Sequence, residues 1–430
     1  MLSVPALPAF GEPDVRRRAL FITYGAGHIA KVAPVVRELE SQGIECMVMA
    51  LTIGYQKALQ LGLRPVGYRD FLGLTGDRAA AVLARGHTLL AGNTHPDVDV
   101  HETCCYLGIN FQEWVDEWGE DGAQQRYAEQ GRRGFLPVRF MGQVLDALRP
   151  GVVVATSTPR SEEACIRAAL ARGLPTLTMV DLFAPPSDPF LRRPLQADRI
   201  TVVSDEVKTC FLAAGLSAAQ VVVTGSPDFD ELFDPMVVRA GAAFRSRLGW
   251  GSRCVVLWAG ILEPDGAELA GPALGMAVEE RLRQWMRTRT DVALVIRYHP
   301  SQYHQFPLQD PEEGVHVSDS GSEPIATLLN ACDVVIHQVS TVGLQAALLG
   351  KRVLHLGFSE WVCNVDFDLS SLGPSEEIPS LDALVPALSR PPDVQTVQTM
   401  KVPAGPAAGR VAAEVMALLN DVLLSDKRTP

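Results

Sequence analysis

The feature of this sequence that most constrains its fold is an alternation of short apolar runs and amphipathic segments in its second half. Runs rich in Val, Ile and Leu occupy residues 292–296, 315–317, 334–336 and 353–356, and polar or turn-forming residues separate them. Runs of this length and composition are typical of the buried strands of a parallel sheet. Since the intervening segments have helical spacing, this half predicts a β-α-β sheet with helices on both faces.

Polar residues follow two strands of this predicted sheet. Arg297 and His299 come after one strand, and Ser340 and Thr341 come after another, where they open a helix that carries Gln345. Open sheets bind ligands just past the carboxyl ends of their strands, and a helix N-terminus favours a phosphate. These residues predict a phosphate or diphosphate site, with Gln345 near a ribose. Ordinary capping of a core helix explains Ser340 equally well.

A glycine-rich turn follows the first predicted strand, at residues 19–23. Gly25 and Gly27 precede His28 and a helix, and a strand at residues 45–51 completes a β-α-β unit. Glycines let a backbone turn tightly and pass close to a ligand. The third glycine of the dinucleotide fingerprint is absent, so NAD binding is not indicated. The turn predicts a loop that faces a ligand, although purely structural glycines are the alternative.

The stretch at residues 92–102 concentrates histidines and carboxylates. A metal site is one interpretation, but no recognised ligand spacing supports it, and a solvated loop is favoured. The aromatic residues that follow would suit either the face of an acceptor or a core. The residues considered for the metal site are His95, Asp97, Asp99, His101 and Glu102.

Three further segments bear on a site. Asp181 follows a predicted strand at residues 176–180, which makes it a candidate for catalysis. Glu162 and Glu163 are interpreted as the start of a helix, because carboxylates in a first turn are favoured by the helix dipole. Gly260 opens the loop GILEPDG, which follows another predicted strand and is able to approach a phosphate.

Several of these motifs resemble those of known enzymes. The pair RYHP and STVGLQAALLGKRVL resembles the nucleotide-binding half of bacterial glycosyltransferases of the GT-B architecture. In the sialyl-, Kdo- and glycerophosphate-transferring branches, an HP motif and a Ser/Thr motif grip the nucleotide. The second motif also resembles the lipid-sugar transferases and the non-hydrolysing UDP-N-acetylglucosamine 2-epimerases. VTGSPDFD resembles the crossing between domains in these enzymes, and the turn ending in His28 resembles the first GT-B loop.

The resemblance implies an α/β fold of two Rossmann-like parallel-sheet domains facing across a cleft. It implies an acceptor domain at residues 1–232, joined by a C-terminal helix at 408–430. A linker would occupy residues 233–251, and a nucleotide-sugar donor domain would occupy residues 252–407. The function implied is a glycosyltransferase that moves a sugar from a nucleotide-sugar donor to a hydroxyl group of a small molecule or glycan.

The resemblance also suggests roles for the candidate residues. His28 or Asp181 would be the base that deprotonates the acceptor hydroxyl. No metal or other cofactor is implied, because the Asp-x-Asp sequences of this chain match a metal-binding motif in letters only. Helix N-termini and basic side chains would instead stabilise the leaving phosphate. The donor-binding candidates are Gly25, Gly27, Gly260, Arg297, His299, Ser340, Thr341 and Gln345.

Two alternatives stay open. An epimerase of the resembling family carries an Asp and a Glu pair in the second motif, where this chain has Ser340, Ala346 and Ala347. The missing acids count against proton abstraction and elimination. A nucleotide-binding partner without catalysis is the other alternative, because many transferases have Glu where Gln345 stands.

Composition excludes some classes of protein. The chain has 430 residues, a formal charge of −12 and no apolar run of membrane-spanning length. The negative charge argues against nonspecific binding of nucleic acid. Eight cysteines without a zinc-like spacing favour reduced thiols in a cytoplasmic protein. Peripheral membrane contact, the oligomeric state and the identities of sugar, nucleotide and acceptor stay open.

Overall fold

A computed structural model describes residues 17–157, 160–180, 197–307, 310–364, 375–390 and 405–426. The chain divides into two compact units. The first contains the described residues up to Asp228 and those from residue 405 onward, and the second contains those from Phe229 to residue 390. Each unit has one parallel sheet flanked by helices, so the predicted fold class of two Rossmann-like parallel-sheet domains is confirmed.

The sheet of the first unit has seven strands in the order β3-β2-β1-β4-β5-β6-β7, and all neighbouring pairs are parallel. The chain builds outward from β1 in both directions, so the strand order reverses between β1 and β4. Ligands of open α/β sheets bind at such a switch point. The strands are β1 (Arg18–Tyr24), β2 (Glu45–Leu51), β3 (Pro65–Val66), β4 (Val152–Thr156), β5 (Thr176–Met179), β6 (Arg199–Val202) and β7 (Val221–Val223).

Eight α-helices belong to the described part of the first unit. The last of them packs against the first, because Val411 and Val415 join the same buried cluster as Val32 and Val36. The C-terminal segment is thereby part of the first unit. The helices are α1 (Gly25–Ser41), α2 (Ile53–Gln60), α3 (Ala79–Thr88), α4 (Val100–Gln130), α5 (Val138–Leu148), α6 (Ser161–Leu170), α7 (Asp205–Ala213) and α14 (Ala407–Asp426), with 3-10 turns at Tyr68–Arg78 and Gly131–Gly134.

Helices α3 and α4 are in backbone contact. A Cβ added to Gly86 would lie 1.9 Å from the carbonyl oxygen of Cys104, and one added to Gly108 would lie 2.0 Å from that of Val82. The adjoining aromatic residues form a small core, in which Trp114 is buried. Core packing therefore accounts for this side chain, whereas Trp118 on the same helix is exposed.

The sheet of the second unit has six parallel strands in the order β10-β9-β8-β11-β12-β13, so its switch point lies between β8 and β11. The strands are β8 (Cys254–Gly260), β9 (Val292–Tyr298), β10 (Val315–Val317), β11 (Val334–His337), β12 (Arg352–Leu356) and β13 (Glu376–Ile378). The described helices are α8 (Pro235–Arg247), α9 (Ala273–Met286), α10 (Ile325–Ala331), α11 (Thr341–Leu348), α12 (Glu360–Asn364) and α13 (Leu381–Ser389).

The segment at residues 233–251, interpreted from sequence as a linker, consists mostly of α8. Asp234 caps this helix by accepting a hydrogen bond from the backbone N–H of Met236 at 2.7 Å. Gly241 lies against Asn330 on α10, and Phe244 is buried. Only these two residues of the helix are buried, so its packing is confined to one face, which meets a helix that is distant in sequence. None of the described helices is long and apolar enough to cross a membrane.

Candidate functional site

Three side chains meet at the switch point of the first sheet. His28 lies in the first turn of α1, Thr156 ends β4, and Glu162 lies in the first turn of α6. His28 Nδ1 is 2.8 Å from Thr156 Oγ1, and that hydroxyl donates to Glu162 Oε1. Because the hydroxyl proton is directed at the carboxylate, the Thr156 oxygen is left to accept from His28 Nδ1–H. The three residues form a chain of hydrogen bonds from imidazole to carboxylate.

The burial of Glu162 determines the electrostatics of this hydrogen-bond chain. Glu162 is 1% exposed, and burial raises the pKa of its carboxyl, while the neighbouring His28 lowers it. Its Oε1 also accepts from the backbone N–H of Tyr24 at 3.2 Å and lies 3.8 Å from His28 Nδ1. With Nδ1 holding its proton towards Thr156, Nε2 is the basic nitrogen of the neutral ring. A buried carboxylate behind an imidazole stabilises the imidazolium that forms on protonation.

The sequence predicts His28 as a catalytic residue but indicates only a helix start for Glu162. The structure separates the two adjacent acids, because Glu163 points outward and pairs with Arg167 one turn later. Glu162 instead faces the sheet. The sequence signal that was available is Thr156 at the end of a buried strand, but the contact itself joins α1, β4 and α6. The other predicted catalytic residue, Asp181, lies outside the described residues.

The two glycines of the first turn differ in their surroundings. Gly25 has a φ of 82°, a backbone conformation that favours glycine, and it begins α1 directly after β1. Gly27 is exposed, and a Cβ added there would meet nothing within 4 Å. The left-handed backbone is thus the physical reason for glycine at residue 25. Space around Gly27 leaves room for a ligand to approach the turn.

The second sheet brings several predicted donor-site residues to one edge. Gly260 ends β8, which pairs with β9 on one side and with β11 on the other. The backbone N–H of His299 donates to the carbonyl of Gly260 at 3.1 Å. Thr341 begins the helix that follows β11. Residues from three adjacent strand ends therefore surround the switch point.

Helix α11 begins as predicted. Ser340 is its cap, with the hydroxyl accepting from the backbone N–H of Val342 at 3.2 Å. Thr341 is half-buried, and Gln345 is 9% exposed. Gln345 Oε1 is buried and has no hydrogen-bond partner among the residues that the structure describes. Such an acceptor is costly to leave unpaired, so it is suited to a donor group from a ligand.

His299 is exposed at the edge of the sheet. Its Nδ1 lies 2.9 Å from the hydroxyl of Ser301, and burial, with a smaller effect of Arg297, lowers its pKa. Since the ordinary pKa of histidine is about 6.5, the lowered value keeps the ring neutral at pH 7.

Gly260 is required for packing, because an added Cβ would lie 2.9 Å from the ring of Tyr298.

Arg297 does not lie with the other predicted donor-site residues. Its guanidinium is directed towards β10, where Nη1 donates to Ser318 Oγ at 2.9 Å and to the carbonyl of Glu323 at 2.7 Å. Helix α11 follows β11, on the opposite side of β8. The residue is 8% exposed, and burial lowers its pKa. Arg297 still lies within β9, whereas His299 follows the end of that strand, so their closeness in sequence does not bring the two side chains to one place.

A buried carboxylate that sequence analysis did not single out organises the loop after β8. Glu263 is 4% exposed and accepts from the amide of Gln338 and from the hydroxyl of Ser359, the latter at 2.6 Å. Gln338 Oε1 in turn accepts from the backbone N–H of Ile261 at 2.9 Å. This network ties the loop to the ends of β11 and β12, so the edge of the switch point is held in one conformation.

The acidic stretch at residues 92–102 has structural contacts. Asp99 caps α4 by accepting from the N–H of Glu102 at 3.0 Å. Both carboxylate oxygens of Glu102 accept backbone N–H groups, those of Tyr68 at 2.7 Å and Arg69 at 2.9 Å. Across the described ranges, no three His, Cys, Asp or Glu side chains are grouped in a way that could hold a metal ion.

The fold is similar to that of several solved enzymes. The UDP-GlcNAc 2-epimerase of Neisseria meningitidis bound to UDP-GlcNAc is 12% identical, with a TM-score of 0.58 over 94% of this chain and 100% of that one. Staphylococcus aureus MnaA with UDP is 12% identical, with a TM-score of 0.55 over 94% of this chain and 97% of that one. The Methanocaldococcus jannaschii UDP-GlcNAc 2-epimerase with UDP-GlcNAc and UDP is also 12% identical. Its TM-score is 0.54 over 93% of this chain and 99% of that one.

No family model matches this chain, and no curated protein matches it by sequence. The predicted resemblance to the GT-B superfamily that includes the 2-epimerases is confirmed at the level of the fold. At this degree of identity the likeness concerns the fold alone.

Proposed function

We propose that this chain is a nucleotide-sugar enzyme that transfers a sugar from a nucleotide-sugar donor to an acceptor hydroxyl, without a metal. The observation that carries the proposal is the hydrogen-bond chain of His28, Thr156 and Glu162 at the switch point of the first sheet. A general base backed by a buried carboxylate is what deprotonation of a hydroxyl requires. The fold shared with enzymes solved with UDP or UDP-GlcNAc supports a nucleotide sugar as substrate.

In this proposal the first unit supplies the base. His28 Nε2 takes the proton of the acceptor hydroxyl while the acceptor oxygen forms a bond to the anomeric carbon. The bond from that carbon to the donor phosphate breaks, and the phosphate oxygen leaves with the electron pair. Glu162 offsets the positive charge that forms on the imidazole.

The second unit is proposed to hold the nucleotide. The start of α11, with the hydroxyl of Thr341 and the positive end of the helix dipole, would meet the phosphates. Gln345 Oε1, which is buried without a partner in the described part of the chain, would accept from a ribose hydroxyl. His299 would donate from a neutral ring. We do not assign Arg297 to the phosphates, because its guanidinium is engaged towards β10.

Epimerisation at C2 of UDP-GlcNAc is the second candidate, and the fold of the 2-epimerases favours it. Against it stand Ala346 and Ala347, which are buried in α11 at the positions where the resembling family carries acids. A buried methyl group neither abstracts a proton nor assists elimination.

The test has a binding step and a chemical step. Thermal shifts with UDP, CDP, CMP, GDP and dTDP identify the nucleotide, because a ligand of the folded state raises Tm. Proton NMR then follows the matching nucleotide sugar with small hydroxyl acceptors. Release of the free nucleotide without a C2 epimer supports transfer. A C2 epimer as the product would instead establish the second candidate.

Variants assign the base. His28→Gln should lower nucleotide release by about a hundred- to ten-thousandfold and leave nucleotide affinity unchanged. His304→Gln, at an exposed histidine of the second unit, is the matched control. If both variants keep the wild-type rate, His28 is not the base. If no nucleotide raises Tm, the proposed substrate class is wrong.

A further inference from the structure

A cavity of about 220 Å³ lies within the first unit, beside the switch point. It opens at the carboxyl ends of β1 and β2, where Tyr24, Gly25 and Leu51 contribute to its wall, and it extends to α4. Neither the His28 hydrogen-bond chain nor the nucleotide site accounts for this space. Its size suits a small molecule rather than a polymer.

The wall of the cavity is mainly apolar. The rings of Tyr24, Tyr68 and Tyr106 line it together with aliphatic side chains, and polar side chains such as Asn93 complete the wall. Tyr68 is held between two neighbours, since Tyr106 meets it edge-on at 5.2 Å and Phe140 stacks on it at 5.5 Å. Aromatic side chains that are fixed in this way form a preformed slot for a flat or aliphatic body.

Arg160 brings a positive charge to this mainly apolar space. The guanidinium of Arg160 lies 4.5 Å from the centre of the Tyr24 ring, and the residue is half-buried. The hydroxyls of Tyr24 and Tyr106 contact this guanidinium, and Glu162 attracts it from a longer distance. Within the described residues, no carboxylate forms a direct ion pair with it or with Arg132, which also lines the cavity. Buried charges are normally paired. An arginine that contacts neutral hydroxyl groups but no carboxylate directly is therefore suited to an anionic group of a ligand.

The carboxylate of Glu102, which also lines the cavity, does not pair with Arg160. Both oxygens of Glu102 are directed at the backbone N–H groups of Tyr68 and Arg69. It closes the far side of the cavity and leaves Arg160 for a ligand.

Backbone conformation singles out the same place. Three non-glycine residues in the described ranges have positive φ, and two of them, Thr52 and Arg160, line this cavity. Arg160 has φ 74° and ψ −119°, a region that is nearly restricted to glycine. The third, Arg149, has the ordinary left-handed conformation at the end of α5. The structure thus holds Arg160 in an unfavourable conformation that brings its guanidinium over Tyr24.

The cavity is coupled to the proposed base. The Tyr24 that stacks under Arg160 also donates its backbone N–H to Glu162. Tyr68 OH lies 2.6 Å from Ser161 Oγ, adjacent to Glu162 in the chain. A molecule in the cavity would lie against the turn that begins at Gly25 and carries His28.

We infer that this cavity is the acceptor pocket and that the acceptor is a small, largely apolar hydroxy acid. Its flat or aliphatic body lies between the tyrosine rings, its carboxylate pairs with Arg160, and its hydroxyl group is directed at the Gly25 turn. This inference rests on the proposed function and narrows its acceptor from any hydroxyl compound to one chemical class. A hexose fits poorly, because the apolar wall would leave most of its hydroxyl groups unpaired.

The first experiment measures binding without any donor. Isothermal titration compares 4-hydroxybenzoate with 4-hydroxybenzamide and with glucose, so that the charge and the polarity of the probe vary separately. We expect the acid to bind at least tenfold more tightly than the amide, and glucose to show no binding. Equal affinities for acid and amide, or no binding of the acid, would overturn the inference.

Two glycine variants then test whether Arg160 binds the carboxylate. Arg160→Gly removes the guanidinium and should weaken binding of 4-hydroxybenzoate by about ten- to a hundredfold. Because glycine adopts positive φ freely, Tm should stay the same or rise. Arg149→Gly makes the same replacement at the other left-handed arginine, and it should change neither affinity nor Tm adversely. Unchanged affinity in Arg160→Gly would refute the assignment.

The nucleotide thermal shift separates this inference from the proposed function. If UDP or another nucleotide stabilises the protein but the acid does not bind, the acceptor class is wrong and the transferase proposal stands. If the acid binds through Arg160 but no nucleotide does, the pocket stands and the proposed function fails.

Discussion

Replacement of Glu102 by Gln should remove a pH-dependent loss of stability from the first unit. Glu102 is 6% exposed, and burial raises its pKa from 4.5 to about 7, against the effect of the two backbone N–H groups that it accepts. The folded protein therefore keeps this proton at pH values where the unfolded chain has lost it. Between pH 4.5 and pH 7, stability must fall as pH rises, and the loss is complete above the folded pKa.

The magnitude follows from the two pKa values. At about 1.36 kcal/mol per pKa unit, the difference between 4.5 and about 7 corresponds to a loss of about 3 kcal/mol at pH 8. Glutamine stays neutral and has no such dependence. Its amide N–H₂ would face one backbone N–H, which costs about 1–3 kcal/mol at every pH. This constant term cancels when only the change with pH is compared.

The assay is urea unfolding from pH 4 to pH 8 with 5-fluorotryptophan and fluorine NMR. Trp114 and Trp118 both lie on α4 with Glu102, so their resonances report the first unit. The free energy of unfolding of Glu102→Gln relative to wild type should rise by about 3 kcal/mol between pH 4.5 and pH 8. Glu129→Gln, at an exposed acid of the same helix, is the control.

A difference that stays constant with pH, or that falls as pH rises, would refute this reasoning. It would mean that the two backbone N–H groups compensate the carboxylate fully for its loss of water. The free energy of unfolding of the Glu129→Gln control, relative to wild type, must not change with pH for the comparison to hold.

Three further predictions concern packing and the nucleotide site. Gly86→Ala should cost about 1–3 kcal/mol in urea unfolding because its Cβ would collide with the Cys104 carbonyl. Gly409→Ala, in a helix with nothing within 4 Å, should instead gain about 0.5–1 kcal/mol; equal effects would show that α3 and α4 adjust freely. Thr341→Ala should weaken nucleotide binding about ten- to a hundredfold in isothermal titration, through loss of a hydroxyl bond to a phosphate, with Tm unchanged. If His299→Ala has a similar effect, the double variant should be less than additive; unchanged affinity in all three variants would move the nucleotide site elsewhere. Nucleotide affinity should be the same with EDTA as with magnesium, and its loss on chelation would contradict a metal-independent site.

The strand pattern of the sequence was sufficient to predict the fold class. Buried parallel strands are nearly continuous apolar runs, and that pattern is local, so residues 292–296 and 334–336 predicted β9 and β11 without knowledge of their neighbours. The same reasoning predicted a capped helix at Ser340, because capping joins residues two apart. Such relations join residues that are close in sequence, so they can be predicted from the sequence alone.

The tertiary structure alone decided which side chains meet. Glu162 and Glu163 are adjacent acids in one helix turn, yet one reaches Thr156 and the other pairs with Arg167 on the surface. Arg297 is predicted to reach phosphates by its closeness to His299, but its side chain is directed towards β10. The helix at residues 235–247 packs through Gly241 against Asn330, which lies far away in the chain. Sequence periodicity specifies backbone state and burial, whereas the partner of a buried polar group depends on contacts between segments that only folding brings together.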